Sequence, residues 1–192
     1  MTNKGIIYKI AETEEDFEAV YQVRKNVLVK ELGYSEKLLE VEKSNNYLHL
    51  LAIKEENPIG AITINLPDDK NTLSIDKYYD LKTYKSDNDV EFKRLAVINY
   101  RKNIIIGSTL MGLAFIYVKK KNFQNIFLTT PVTNYHIGLY QKFAAQRIAK
   151  IPYEGILNLY IMKINIVDPE QIEKYKRAHK YYYRQYDKFI TK

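Results

Sequence analysis

A chain of 192 residues, 46% hydrophobic and 28% charged, has the size and make-up of one globular domain, or of one domain with an appendage. It contains no cysteine, which excludes a disulfide framework, thiolate zinc sites and a cysteine nucleophile. Its 30 lysines and arginines against 23 acidic residues give a net charge of +7. That excess favours an anionic partner such as a nucleotide phosphate, an acidic carrier protein, nucleic acid or a membrane surface, although an AT-rich genome produces the same bias without one.

In chain order, Ile6–Ala11 reads as a strand. Glu12-Thr13-Glu14-Glu15 opens a helix whose acidic residues suit its N-terminal dipole. Phe17, Val20, Tyr21, Val23, Val27, Leu28 and Leu32 follow a helical period to about Glu31, and Gly33 ends it. Tyr47–Ile53 and Ile59–Asn65 are strands joined by the charged turn Lys54-Glu55-Glu56-Asn57-Pro58. A turn at Pro67–Asn71 and a polar loop or short helix at Asp76–Asn88 lead to a strand at Val90–Ile98. A helix at Ile105–Lys121 ends in lysines at its negative pole. A strand at Asn125–Thr129 and a short helix at Tyr135–Phe143 follow, then two strands, Arg147–Ile151 and Leu157–Ile166, that pair as a hairpin. Pro169 starts a basic, tyrosine-rich helix to about Phe189.

This order predicts an α/β fold with a mixed α+β sheet, crossover helices in its second half, a domain at 1–168 and a packed helix at 169–192. No signal sequence is visible after Met1. The longest apolar stretch, the fifteen residues Ile104–Val118, is too short to span a bilayer, so a cytoplasmic protein is expected.

Chemistry concentrates between Glu91 and Leu110, EFKRLAVINYRKNIIIGSTL. A strand runs into a Tyr-Arg-Lys loop, then a glycine, a serine and an apolar helix. Outward main-chain N–H groups at a helix start, with Arg101 and Lys102 beside them, suit phosphates; a plain strand-turn-helix with solvated cations is the alternative. His49, His136 and His179 show no ligand spacing, and no metal is expected.

Leu95-Ala96-Val97, Tyr100-Arg101 and Gly107-Ser108-x-Leu110 resemble the acyl-CoA motif of the GNAT N-acetyltransferases. Asn134 to Phe143, with Leu139-Tyr140-Gln141-Lys142, resembles the later motif of that superfamily. Val23-Arg24-Lys25-Asn26-Val27, Leu48-His49-Leu50-Leu51 and the Glu91/Arg94 pair are similar to the branch of N-acyl amino acid synthases and autoinducer synthases.

The resemblance, over about residues 6–166, implies a GNAT-like fold and acyl transfer from acyl-CoA or an acyl carrier protein to a small amine such as an amino acid. An ordinary acetyl-CoA-dependent acetyltransferase and a catalytically silent binding domain are the alternatives. It implies donor binding by Leu95, Ala96, Val97, Arg101, Lys102, Ile106, Gly107 and Ser108, and catalysis by Glu91 as base and Tyr140 as acid, with Arg94 beside them. Arg24 is expected to recognise an acceptor carboxylate, because its guanidinium forks onto two oxygens. The loop carries fewer glycines than the family pattern, and a carrier-bound donor, which brings no adenine or 3′-phosphate, tolerates that. The tail Lys174–Tyr186 mixes cations with tyrosines, which suits covering the sheet, docking a carrier or a second subunit, or gripping single-stranded nucleic acid. Oligomeric state is not legible.

Overall fold

The structure is a computed structural model that describes residues 5–132, 136–153 and 157–168. The expected helix from Pro169 onward lies outside the described residues. Seven strands form one mixed sheet in the order β1-β2-β3-β4-β5-β7-β6. The described chain divides into two compact units, the first from residues up to 64 with 94–116, the second from 65–93 with 117–168.

In the first unit, β1 (Ile6–Ile10) pairs antiparallel with β2 (Tyr47–Lys54). Between them runs α1 (Glu14–Arg24), started by a reciprocal cap. The Thr13 hydroxyl accepts from Asp16 N–H at 3.2 Å, and the Asp16 carboxylate accepts from Thr13 N–H at 3.4 Å, so two helix-start donors are satisfied. The helix continues from Lys25 to Glu31 as a π-helix, and Leu32 N–H donates to Val27 O, five residues back. Gly33, at φ +69, supplies the left-handed residue that lets the chain turn away. Val20, Val23, Val27 and Leu28 face a core containing Leu51, Ala61 and Ala96.

A short 3₁₀ turn, Glu36–Leu39, follows; no apolar period marked it in the sequence. Strand β2 turns into β3 (Asn57–Asn65) through Glu55 and Glu56, both at positive φ (+49 and +65), as a two-residue hairpin whose twist matches its strands requires.

The second unit holds a 3₁₀ turn at Ser74–Lys77, the start of β4 (Asp89–Val97), β5 (Asn125–Pro131), α3 (Ile137–Lys142), β6 (Gln146–Tyr153) and β7 (Leu157–Asn165). Strands β4 and β5 are parallel; their crossover is α2 (Ile104–Lys120), apolar on all sides and closed by Lys119 and Lys120. Strands β5 and β6 both pair antiparallel with β7, so the expected late hairpin forms. Leu73, Ile75, Leu81, Phe127, Ile151, Leu159 and Ile161 fill this unit's core. No helix among the described residues is long and apolar enough to cross a membrane.

Candidate active site

The ladder between β4 and β5 covers Asp89 to Phe92, opposite Asn125 to Leu128, and goes no further. Two residues later Arg94 adopts φ +53, the left-handed region that a residue with a side chain seldom enters. The edge faced by each later amide follows from Ile98, whose N–H donates to Ile59 O of β3 at 3.0 Å. Successive N–H groups of a strand point to opposite edges, so Val97 and Leu95 direct theirs away from β3 and Ala96 directs its own toward it. Leu95, Ala96 and Val97 are buried.

Beyond Val97 the chain turns through Asn99, at φ +51, whose N–H donates to the Glu31 carboxylate at 3.2 Å. Asn103 folds its side chain back onto Ile98 O at 2.8 Å, bracing the loop. Arg101 and Lys102 are exposed, as are Ile104 and Ile105 in the first turn of α2. In that turn Ile106 N–H donates to Asn103 O at 2.9 Å, while the amides of Ile104 and Ile105 have no helix carbonyl one turn earlier and follow Arg101 and Lys102 closely in sequence. Gly107 is demanded by packing: a Cβ there would come 2.8 Å from Cε2 of Tyr100, whose ring lies over it. Ile106 is buried, its Cγ2 only 3.0 Å from where Gly60 would carry a Cβ, so it packs inward. The Ser108 hydroxyl donates to Ile105 O at 2.9 Å.

Glu91, three residues before Arg94, has its own partners. Its Oε2 accepts from Ser74 N–H at 2.8 Å, the Ser74 hydroxyl at 2.6 Å and the Asn65 amide at 3.2 Å. Nothing in the spacing of Asn65 and Ser74 announced this; only the burial of a strand glutamate (3% exposed) signals that donors must be near.

Arg94 turns to different partners. Its Nη1 donates to both oxygens of Glu42, at 2.8 and 2.7 Å, and to Glu40 O at 2.8 Å. The same Glu40 carbonyl accepts from Arg24, whose Nη2 donates to Thr63 Oγ1 at 2.6 Å. The Thr63 hydroxyl in turn donates to His49 Nδ1 at 2.8 Å, and His49 Nε2–H donates to Glu42 O at 2.7 Å. Both His49 nitrogens are thus used by the neutral ring, and burial pushes its pKa down.

Arg24 is 0% exposed, and burial, aided by the Arg94 charge, lowers its pKa to about 9 against the pull of Glu42 and Glu40. The expected contact with an acceptor carboxylate finds no support in these surroundings: the guanidinium faces inward and its Nη groups are engaged. A signal was present, because Arg24 stands four residues after Val20 and four before Leu28, on the apolar face of the helix.

Tyr140 lies buried in α3, its ring 6.1 Å from that of His136. Burial drives the His136 pKa down to about 4. After α3, Ala144 takes φ +53, and Ala145 N–H closes back onto Tyr140 O.

No family model matches the chain, and no curated protein matches it. Solved structures do. FeeM, an N-acyl amino acid synthase from uncultured soil microbes, superposes with a TM-score of 0.70 at 13% identity, covering 88% of this chain and 95% of its own. The ribosomal-protein-S18-alanine N-acetyltransferase from Escherichia coli gives 0.60 at 14% identity, covering 83% and 94%. Arabidopsis thaliana NAA60, in complex with acetyl-CoA, gives 0.62 at 16% identity, covering 85% and 99%. At such identities the likeness concerns the fold alone. With its seven-stranded mixed sheet, flanking helices and β4–β5 ladder that stops at Phe92, the chain has the GNAT acyl-CoA N-acyltransferase fold.

Proposed function

We propose that the chain is an N-acyltransferase that moves an acyl group from a pantetheine thioester, carried by coenzyme A or an acyl carrier protein, to the amine of a small acceptor such as an amino acid. The observation that carries this reading is the end of the β4–β5 ladder at Phe92, followed by Leu95 and Val97 amides directed away from β3. An amide aimed at a thioester carbonyl stabilises the oxyanion that forms on attack, and one such donor contributes about 3 kcal/mol in acyl-transfer sites.

In this mechanism Leu95 N–H holds the carbonyl oxygen, and Val97 engages the pantetheine arm with its main chain. The amine nitrogen bonds to the carbonyl carbon while its proton passes, by way of a water, to Glu91. Three donors already occupy Oε2 of Glu91, so the proton goes to Oε1. The carbon–sulfur bond then breaks, and the departing thiolate takes a proton from the Tyr140 phenol. Arg101 and Lys102 meet the phosphate end of the donor. The likeness to FeeM, an N-acyl amino acid synthase, supports an amino-acid acceptor. The acetyl-CoA complex of NAA60 favours a second reading, acetyl transfer from coenzyme A.

Because the chain has no cysteine, a thiol reagent reads only the thiol released from the donor. Acetyl-CoA, a long-chain acyl-CoA and an acyl carrier protein thioester are each offered with a panel of amino acids and simple amines, and products are identified by mass spectrometry. Amine-dependent thiol release is expected, falling about 10²–10⁴-fold in Glu91→Gln. Tyr140→Phe should lose roughly tenfold or more. Absence of release with every donor, or rates unchanged in both variants, would end the reading.

A further inference from the structure

Arg94 leaves the strand conformation at φ +53, two residues after the last rung of the β4–β5 ladder. A residue with a Cβ enters the left-handed region at a cost and stays there only when its surroundings fix it. Its surroundings do so: Glu42 receives the guanidinium on both carboxylate oxygens, and Glu40 receives it on its carbonyl. The receiving segment is itself clamped from behind. Arg24 holds the same Glu40 carbonyl and lies 3.8 Å from the Glu42 carboxylate, while His49 holds the Glu42 carbonyl. Arg24 and His49 are 0% and 1% exposed, so the clamp is anchored in the core.

We infer that Arg94 is a positioning residue and not a catalytic one: its ion pair with Glu42 pins the left-handed turn in β4 that directs the Leu95 and Val97 amides out of the ladder with β5. The guanidinium is committed to Glu42 and Glu40, and what the site receives from this residue is its backbone conformation. The acyltransferase reading enters only in naming what those amides hold.

Glycine separates the two roles, since it takes φ +53 without a Cβ penalty while lacking the guanidinium. The full chain, Arg94→Gly, Arg94→Ala, Glu42→Gln and the Arg94→Gly/Glu42→Gln double variant are compared, with circular dichroism confirming that each folds. Amide hydrogen exchange at Leu95 and Val97 is read by NMR, and coenzyme A binding by calorimetry. In Arg94→Ala and Glu42→Gln the strand relaxes into a longer ladder, so Val97 exchange slows about tenfold and coenzyme A binding weakens by about as much.

Arg94→Gly stays within about threefold of the unaltered chain, and adding Glu42→Gln to it changes little, because the pin is already gone. Arg94→Gly losing as much as Arg94→Ala would overturn the inference, as would unchanged Val97 exchange in Glu42→Gln. If exchange follows the expected order while coenzyme A binds none of the proteins, the pin stands and the coenzyme A donor falls.

Discussion

Replacing Gly107 by alanine sets two effects of opposite sign against each other. Gly107 lies inside α2, where alanine is the better helix former by up to about 1 kcal/mol. Its Cβ, however, would stand 2.8 Å from Cε2 of Tyr100, with Cδ2 at 3.5 Å and Val97 Cγ2 at 3.6 Å. Carbon atoms rest about 3.5–4.0 Å apart, so the overlap is most of an ångström. The atom struck belongs to the ring of a residue only 6% exposed, not to the free end of a mobile chain. Relieving such overpacking costs roughly 1–3 kcal/mol.

The cost wins, and Gly107→Ala should be less stable by about 1 kcal/mol, a fall in Tm of roughly 2–4 °C at this chain length. Thermal melts followed by circular dichroism read this directly. Because Tyr100 belongs to the loop that precedes α2, coenzyme A binding should weaken more than stability does. A Tm raised by 2 °C or more would refute the reasoning, since it would mean that the ring steps aside at no cost.

Gly138→Ala is the control of opposite sign: nothing lies within 4 Å of the added Cβ, so α3 should gain roughly 0.5–1 kcal/mol and the melt should shift upward. For pH, the folded-state pKa values of His136, about 4, and His49 both lie below the ordinary 6.5 because burial disfavours the charged ring. The unfolded chain therefore binds protons first on acidification. Stability from both rings is complete above pH 6.5 and is lost as pH falls toward 4. A drop from 6.5 to about 4 in His136 alone corresponds to on the order of 3 kcal/mol. Urea midpoints should decline between pH 6.5 and 5, and a flat profile there would contradict the burial of these rings.

Most of the sheet was legible because its strands announce themselves by short apolar runs between turn residues, as in Tyr47–Lys54 and Asn57–Asn65. The helices followed from apolar spacing and caps. What escaped was conformation that residue type disguises. Arginine at φ +53 and alanine at φ +53 stand at Arg94 and Ala144, where only glycine would have given a signal. The 3₁₀ turn at Glu36–Leu39 is too short to show a period.

In the candidate site, the loop and its cations were legible as a local pattern, whereas partnerships were not. Glu42, Thr63 and His49 meet Arg24 across sequence separations that no spacing rule reaches, and Ser74 meets Glu91 in the same way. Nor did residue type announce that Asn103 braces the loop with a side-chain hydrogen bond to Ile98 O.

The π-helical stretch Lys25–Glu31 makes this part of the chain tolerant of length change in one direction only. A π turn carries an extra residue over nearly the same axial distance, so losing one residue there lets the backbone close into ordinary α geometry, with Gly33 still marking the exit. Gaining one offers no such relief. Shortening would also rotate Leu28 relative to Val20 and Val23, leaving the apolar seam to re-register while Arg24, upstream of the deletion, keeps its place.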